Sequence, residues 1–358
     1  MRILSPILNR VIYPFLGTSG YFRNQAGQVR VLTYHGVVPD VYHPRDFRLD
    51  SHLHRAKDFH DELRLLKRHY FIISPEQFLG WLKGDTDLPK SAVLLTCDDG
   101  LLNTVTDMLP ILEEEQVRCL FFVTGDFLSS EPQMLWHEEL YLMFMDSQIR
   151  KCRSCLESAP PAFVLSSTEA KATLWWNLVK KLSRAERGQR ATLMTRARDE
   201  LELDNNWRSR YLNDPVLRRR FALISAAEVH QLVQAGMSIG SHTLSHPLLP
   251  EQTLEMARME LEQGRCALER ALGLPVWALA YPFGGTNAVS EREFHLAESA
   301  GYQCAFVNYG GAVHKDSCHF ALPRIHVSGE VRLAAFEAYA SGFHEALRTK
   351  LKGMGTQS

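Results

Sequence analysis

Val93-Leu94-Leu95-Thr96-Cys97-Asp98-Asp99-Gly100 is an apolar run that stops abruptly at two adjacent carboxylates followed by glycine. The run reads as a buried strand, so two charges stand at the end of a core element. Neighbouring residues on an extended chain point to opposite sides, and Asp98 and Asp99 can share one site only if Gly100 lets the backbone turn there. Taken alone, the stretch is also compatible with a strand ending in an Asp-Gly turn.

A second stretch gives the carboxylates a partner. Ser241-His242-Thr243-Leu244-Ser245-His246 follows Met237-Ser238-Ile239-Gly240, another short apolar segment ending in glycine. Histidines four apart lie on one face of a helical turn, where their imidazoles can converge on one cation. Two histidines beyond one strand end and a carboxylate beyond another make a two-His, one-Asp set, which leaves a coordination position open for water.

These residues carry a family resemblance. Thr96-Cys97-Asp98-Asp99-Gly100 resembles the Thr-Phe-Asp-Asp-Gly motif of polysaccharide deacetylases, the NodB-homology family or carbohydrate esterase family 4. Ser241 to His246 is similar to that family's His-Ser/Thr-x-x-His motif, and Ala280-Tyr281-Pro282-Phe283-Gly284 to its Pro-Tyr/Phe-Gly segment. All three occur in the family's order. The resemblance implies an α/β fold, a distorted (β/α)7 barrel of NodB-homology type. It also implies Asp99, His242 and His246 as metal ligands, Asp98 as general base, and the backbone N–H of Phe283 as an oxyanion donor beside the metal. The family's late-strand histidine acid is only partly matched, by Arg324-Ile325-His326; His35 is the other candidate for protonating the amine.

The rest of the chain fits around these motifs. Its 358 residues can bury a large core, and a net charge of −1 with 23% charged residues argues against a nucleic-acid partner. Seven scattered cysteines point to reduced thiols in a cytoplasmic setting. Cys152 and Cys155 form a CxxC, but no second pair accompanies it to make a zinc site. Residues 1–22 are apolar but broken by Pro6, Arg10 and Pro14, too short to span a bilayer and suited at most to peripheral membrane contact. Val29–Tyr34 opens the regular structure and delivers His35, and Asp50 or Ser51 is the expected cap of a helix through Phe59, Leu63 and Leu66. Ser74-Pro75-Glu76-Gln77 and Ser225-Ala226-Ala227-Glu228 are capping boxes.

Strand and helix alternate except between about 126 and 224, where four tryptophans and many arginines fall in segments of helical composition. We read residues 1–28 as an N-terminal amphipathic segment, 29–340 as the catalytic domain interrupted by this helical insertion, and 341–358 as a tail. The insertion, ending in Arg218-Arg219-Arg220, can grip a saccharide or an anionic head group. Ordinary helix packing with a solvated charged face is the simpler reading, and the preferred one.

The expected function is removal of N-acetyl groups from a carbohydrate by metal-activated water. Zinc suits the ligand set, and cobalt, nickel or manganese can occupy it. Three departures from the family pattern leave the sugar open. Cys97 replaces the usual aromatic, an Asp-x-x-x-Asp-Trp type segment is missing, and the insertion is extra. Hydrolysis of another amide or formyl group is a second enzymatic reading. A non-catalytic carbohydrate-binding protein is a third, and retention of Asp98, Asp99, His242 and His246 speaks against it.

Overall fold

The structure is a computed structural model that describes residue 13 and residues 25–125, 132–149, 151–152, 163–164, 167–344 and 346–347. The expectations for residues 1–22 and for Cys155 therefore lie outside the described residues, apart from Tyr13, which packs against Ala335 and Ala338. The side chain of Cys152 lies outside them too.

Among the described residues ten strands form one sheet: β1 (Gln28–Tyr34), β2 (Phe71–Ile72), β3 (Ala92–Cys97), β4 (Cys119–Val123), β5 (Ser238–Ser241), β6 (Ala278–Ala280), β7 (Cys304–Val307), β8 (Ala312–His314), β9 (Leu322–Pro323) and β10 (Ile325–His326). Parallel pairing runs β1, β3, β4, β5, β6, β7, β9. Only Arg324 separates β9 from β10, and β10 pairs in parallel with β1 through Leu32–Ile325 and Thr33–His326. Counting β9, Arg324 and β10 as one strand, seven parallel strands close into a ring, which is the barrel the sequence implied. β8 adds an antiparallel edge beside β1, and β2 lies beside β3.

Alternation along the strands sorts the barrel wall. Ala92 and Leu94 of β3 face the interior with Phe122 and Phe306, and the helix Pro75–Lys83 inserts Phe78 and Trp81 into the same cluster. Val93, Leu95 and Cys97 face outward, beneath surrounding helices that contribute Phe59, Leu63, Leu232, Leu261 and Leu268. Cys97 is thus a packing residue, and burial pushes its thiol well up from the ordinary range. Both capping boxes form as expected. Asp50 does not cap the long helix, which runs Ala56–His69 from Arg55; it ends a short helix, Phe47–Asp50, capped by Asp46. Its carboxylate is buried for another purpose, described below.

Between β4 and β5 the chain builds helices Trp136–Asp146, Thr168–Ser183, Arg187–Glu200 and Pro215–Phe221 around a separate core. Leu140, Tyr141, Phe144, Leu178, Leu182, Trp207 and Phe221 fill it. No helix among the described residues is long and apolar enough to cross a membrane.

Candidate active site

The carboxylates emerge where β3 ends. Asp99 and Gly100 both adopt left-handed backbone, with φ of +76° and +70°, so the chain turns within the motif and both carboxylates reach one cavity. Three more non-glycine residues with positive φ lie in the other two motifs: Thr243 (+67°), His246 (+54°) and Phe283 (+62°). Such conformations cost free energy and persist where the surroundings enforce them. Here one enforcing contact is Gly264, in helix Leu254–Leu272: a Cβ there would lie 2.7 Å from the Thr243 carbonyl carbon, so only glycine lets the helix come this close.

His242 and His246 do converge on Asp99, but not from a helix. Residues 242–246 form a turn with two left-handed residues, and the spacing works through that turn. His242 Nε2 lies 3.3 Å and His246 Nε2 3.4 Å from Asp99 Oδ1. All three side chains are buried, and together they form a cluster that could hold a metal ion.

The hydrogen bonding around this cluster tests whether a cation fits. His242 Nδ1 donates to the Ala280 carbonyl at 2.7 Å, so a neutral His242 turns the Nε2 lone pair toward the Asp99 carboxylate. Lone pair would then face lone pair at 3.3 Å in a buried site, an arrangement that a cation between them relieves. Two imidazole nitrogens and a carboxylate oxygen match a divalent transition metal. The residues present fit the group. Without an ion, protonated imidazoles do the same work: burial raises the Asp99 carboxyl, and hydrogen bonds from His242 and His246 in their protonated form outweigh it and hold it well below the ordinary carboxylate range.

Asp98 has a different partner. Arg324, fully buried, clamps both of its oxygens, Nη1 to Oδ1 and Nη2 to Oδ2, each at 2.7 Å. Burial raises the carboxyl pKa, and Arg324 with His242 more than reverses it, so the net shift is downward. The guanidinium also donates to Thr96 Oγ1 and stands over the rings of Phe122 and Phe306. Arg324 is therefore the residue that closes the ring and the residue that holds Asp98.

The two candidate acids occupy different places. His35 lines the cavity with Asp98 and Asp99. His326 is exposed, outside that lining, with its ring 5.1 Å from that of His35. Burial lowers the pKa of His35.

The cavity holds about 200 Å³ and has a roof that sequence reasoning did not assign. His137, Glu138 and Trp175 reach it from the insertion. His137 lies against His246, with ring centroids 4.6 Å apart, and against Phe283. Trp136 Nε1 donates to the carbonyls of Ser245 and His246, and Trp175 Nε1 to that of His137. His35 Nδ1, His137 Nε2 and His246 Nδ1 find no hydrogen-bond partner among the described residues, which leaves hydrogen-bonding capacity in the cavity lining.

The arginine triplet divides rather than forming one face. Arg220 is fully buried, clamping Glu138 at 3.0 and 2.8 Å and donating to Asp50 at 2.9 Å. Arg219 pairs with Asp107 at 3.3 Å, and Arg218 and Arg219 line a separate open depression. Only Arg220 touches a residue of the catalytic cavity.

The sequence matches the family model described as Polysaccharide deacetylase over residues 85–141 and 164–305, more than half of the chain. The chain belongs to the polysaccharide deacetylase family. Members of this family are hydrolases of carbon–nitrogen bonds other than peptide bonds. YxkH of Bacillus subtilis (strain 168), named as a polysaccharide deacetylase, is 28% identical over 116 residues, which is 32% of this chain and 40% of that protein. Among solved structures, the Streptococcus pyogenes deacetylase PplD in complex with acetate matches 88% of this chain and 99% of its own, at 15% identity and a TM-score of 0.56. IcaB from Ammonifex degensii matches 88% and 98%, at 16% identity and a TM-score of 0.54. At these identities the likeness establishes the fold.

Proposed function

We propose that this chain is a metal-dependent deacetylase that hydrolyses the acetamide of an N-acetylated saccharide. The observation that carries the reading is the meeting of Asp99, His242 and His246 in one cavity with an ionised Asp98 beside them. Asp99, His242 and His246 would hold a divalent cation, zinc by donor type, and such a cation lowers the pKa of water to about 7 and polarises a carbonyl.

The chain supplies the remaining chemistry. Asp98 takes the proton of the attacking water as general base. Arg324 occupies one lone-pair direction on each Asp98 oxygen and leaves the others open, so the carboxylate is both oriented and able to accept. The same clamp keeps Asp98 ionised at neutral pH. The family resemblance implies the backbone N–H of Phe283 as the donor for the developing oxyanion, and Pro282 before it has no N–H to offer. His35, in the cavity wall, is better placed than His326 to pass a proton to the leaving nitrogen. Burial lowers its pKa and leaves it neutral at rest, so the proton it passes on is the one that Asp98 takes from the attacking water.

Screening acetate and formate release from N-acetylated and N-formylated glycans and nucleotide sugars tests the reading. Acetate release that disappears on chelation and returns with zinc is expected. Release of formate alone would replace the acyl group in the proposal, and release of neither would end it.

A further inference from the structure

The insertion is tied to the rim of the catalytic cavity at one barrel strand after another. After β1, Leu49 belongs to the insertion's own core with Tyr141 and Phe144, and Arg220 joins the Leu49 carbonyl and Asp50 to Glu138 in one buried cluster. On the same side Arg45 pairs with Asp146 at 2.9 Å and Tyr141 donates to Asp46 at 3.0 Å. After β3, Leu101 bridges to Leu223, and Asp107 pairs with Arg219 at 3.3 Å. After β5, Trp136 holds the Ser245 and His246 carbonyls, and the Leu248 N–H donates to Ser183 Oγ at 2.9 Å. After β6, the rings of His137 and Trp176 lie 5.3 and 5.6 Å from that of Phe283. These ties follow the strand order of the barrel from β1 round to β6, with the insertion itself leaving from β4.

Such ties make a fixed roof. Lifting it on the β1 side would separate Arg220 from two buried carboxylates, which is costly because each charge would be left unpaired. Beneath the roof the cavity measures about 200 Å³, less than the roughly 300 Å³ at which sites for drug-sized molecules begin, so it takes a unit of about one sugar ring. Asp98, Asp99, His242 and His246 line that same space, so the ring that carries the reacting acetamide must enter it. An internal unit of a polysaccharide is bonded on two sides and needs two ways out. A terminal unit needs one, and a free sugar none. Asn308, directly beyond β7, is a lining residue outside the tied arc and marks the side from which the cavity is entered.

We propose that the insertion restricts this site to terminal or free N-acetylated sugars, which enter end-on from the side of β7, β9 and β10, and that it excludes the internal units of a polysaccharide. This substrate class rests on the deacetylase reading above, and the two fail differently. Loss of all acetate release strikes the reading, whereas release from the wrong units strikes only the substrate class.

The test is a length series on the full chain. Acetate release is measured from N-acetylglucosamine, from its nucleotide diphosphate ester and from N-acetylglucosamine oligomers from dimer to pentamer, and mass spectrometry locates the deacetylated unit. Turnover of the free sugars, or a single acetate from an end unit of each oligomer whatever its length, is expected. Trp175→Ala removes a roof side chain and should raise the ratio of kcat/KM for the pentamer over the monosaccharide about tenfold or more, while Trp175→Phe keeps it near wild type. Acetates released from the inner units of a wild-type oligomer digest would overturn the proposal and leave the deacetylase reading intact. An unchanged ratio in folded Trp175→Ala would overturn it too. If that variant fails to fold, the wild-type series decides alone. Release from no sugar in the series would overturn the reading itself, and the substrate class with it.

Discussion

The barrel and the helical insertion hold the same cavity by different means. The barrel delivers Asp98, Asp99, His242 and Phe283 from or just beyond strand ends, each within a few residues of the segment that positions it. The insertion delivers none of the proposed metal ligands. It supplies instead the tryptophan hydrogen bonds to the 242–246 turn, the His137 ring against His246, and the Glu138–Arg220–Asp50 cluster that ties it to the barrel rim. Chemistry assigned to the barrel and positioning assigned to the insertion should therefore separate under mutation.

The largest expected effects belong to the barrel. Asp98→Asn should retain metal and lose rate by about 10²- to 10⁴-fold, the usual contribution of general-base catalysis. Asp99→Asn and His246→Ala should lose metal and activity together. Metal analysis with kinetics on the three variants decides this, and metal loss in Asp98→Asn with retention in Asp99→Asn would reverse the two aspartates. The insertion's counterpart is Arg220→Met, which leaves Glu138 and Asp50 buried without their cation. Breaking a buried cluster by removing one partner costs about 3–5 kcal/mol. Denaturant unfolding should show that loss, with the turnover of the remaining folded protein far less affected than in Asp98→Asn. A folded Arg220→Met whose kcat falls as steeply would break the separation.

This difference also explains what was legible in the sequence. Strand ends, capping boxes and the three motifs depend on local order, so the candidate set Asp98, Asp99, His242 and His246 could be read from residue types and spacing, and the seven-stranded barrel from the family resemblance that those motifs carry. The convergence of the histidines was anticipated by the wrong route, a helical turn, because left-handed conformations at Thr243 and His246 depend on the packing of helix Leu254–Leu272 and not on their own propensity. Arg324 was placed on the right strand, yet its clamp on Asp98 spans 226 residues of sequence. No local signal marks Arg220 as different from Arg218 and Arg219. Helical periodicity separates neighbours by face, but which face meets Asp50 is set by tertiary packing.

A smaller effect isolates the contact between the two regions. Trp136→Phe keeps the aromatic ring beside Arg190 and removes the donor to the Ser245 and His246 carbonyls. The loss should be about 1 kcal/mol of stability, the scale of one net hydrogen bond. If the bond positions the turn, metal affinity should fall with it. Unchanged metal affinity beside that stability loss would make Trp136 a packing residue only.

The smallest expected effect concerns how the barrel rim and the insertion latch respond to pH. His54, on the rim, is buried with Nδ1 3.2 Å from a Glu62 oxygen and Nε2 3.3 Å from the Val327 carbonyl, so a protonated ring stands at ion-pair distance from a carboxylate. Burial lowers its pKa, Glu62 raises it, and the net shift is upward. A raised folded-state pKa means that the pair contributes in full below the ordinary histidine value of about 6.5 and is lost as pH rises through the folded-state value. The melting temperature of wild type should therefore draw closer to that of His54→Gln as pH rises from acidic to alkaline. Arg220 is held even further toward its charged form by Glu138 and Asp50, so it does not titrate in this range. The gap between wild type and Arg220→Met should accordingly stay constant over the same pH series. If the His54→Gln gap is constant as well, His54 is neutral in the folded protein and the rim is held by packing alone.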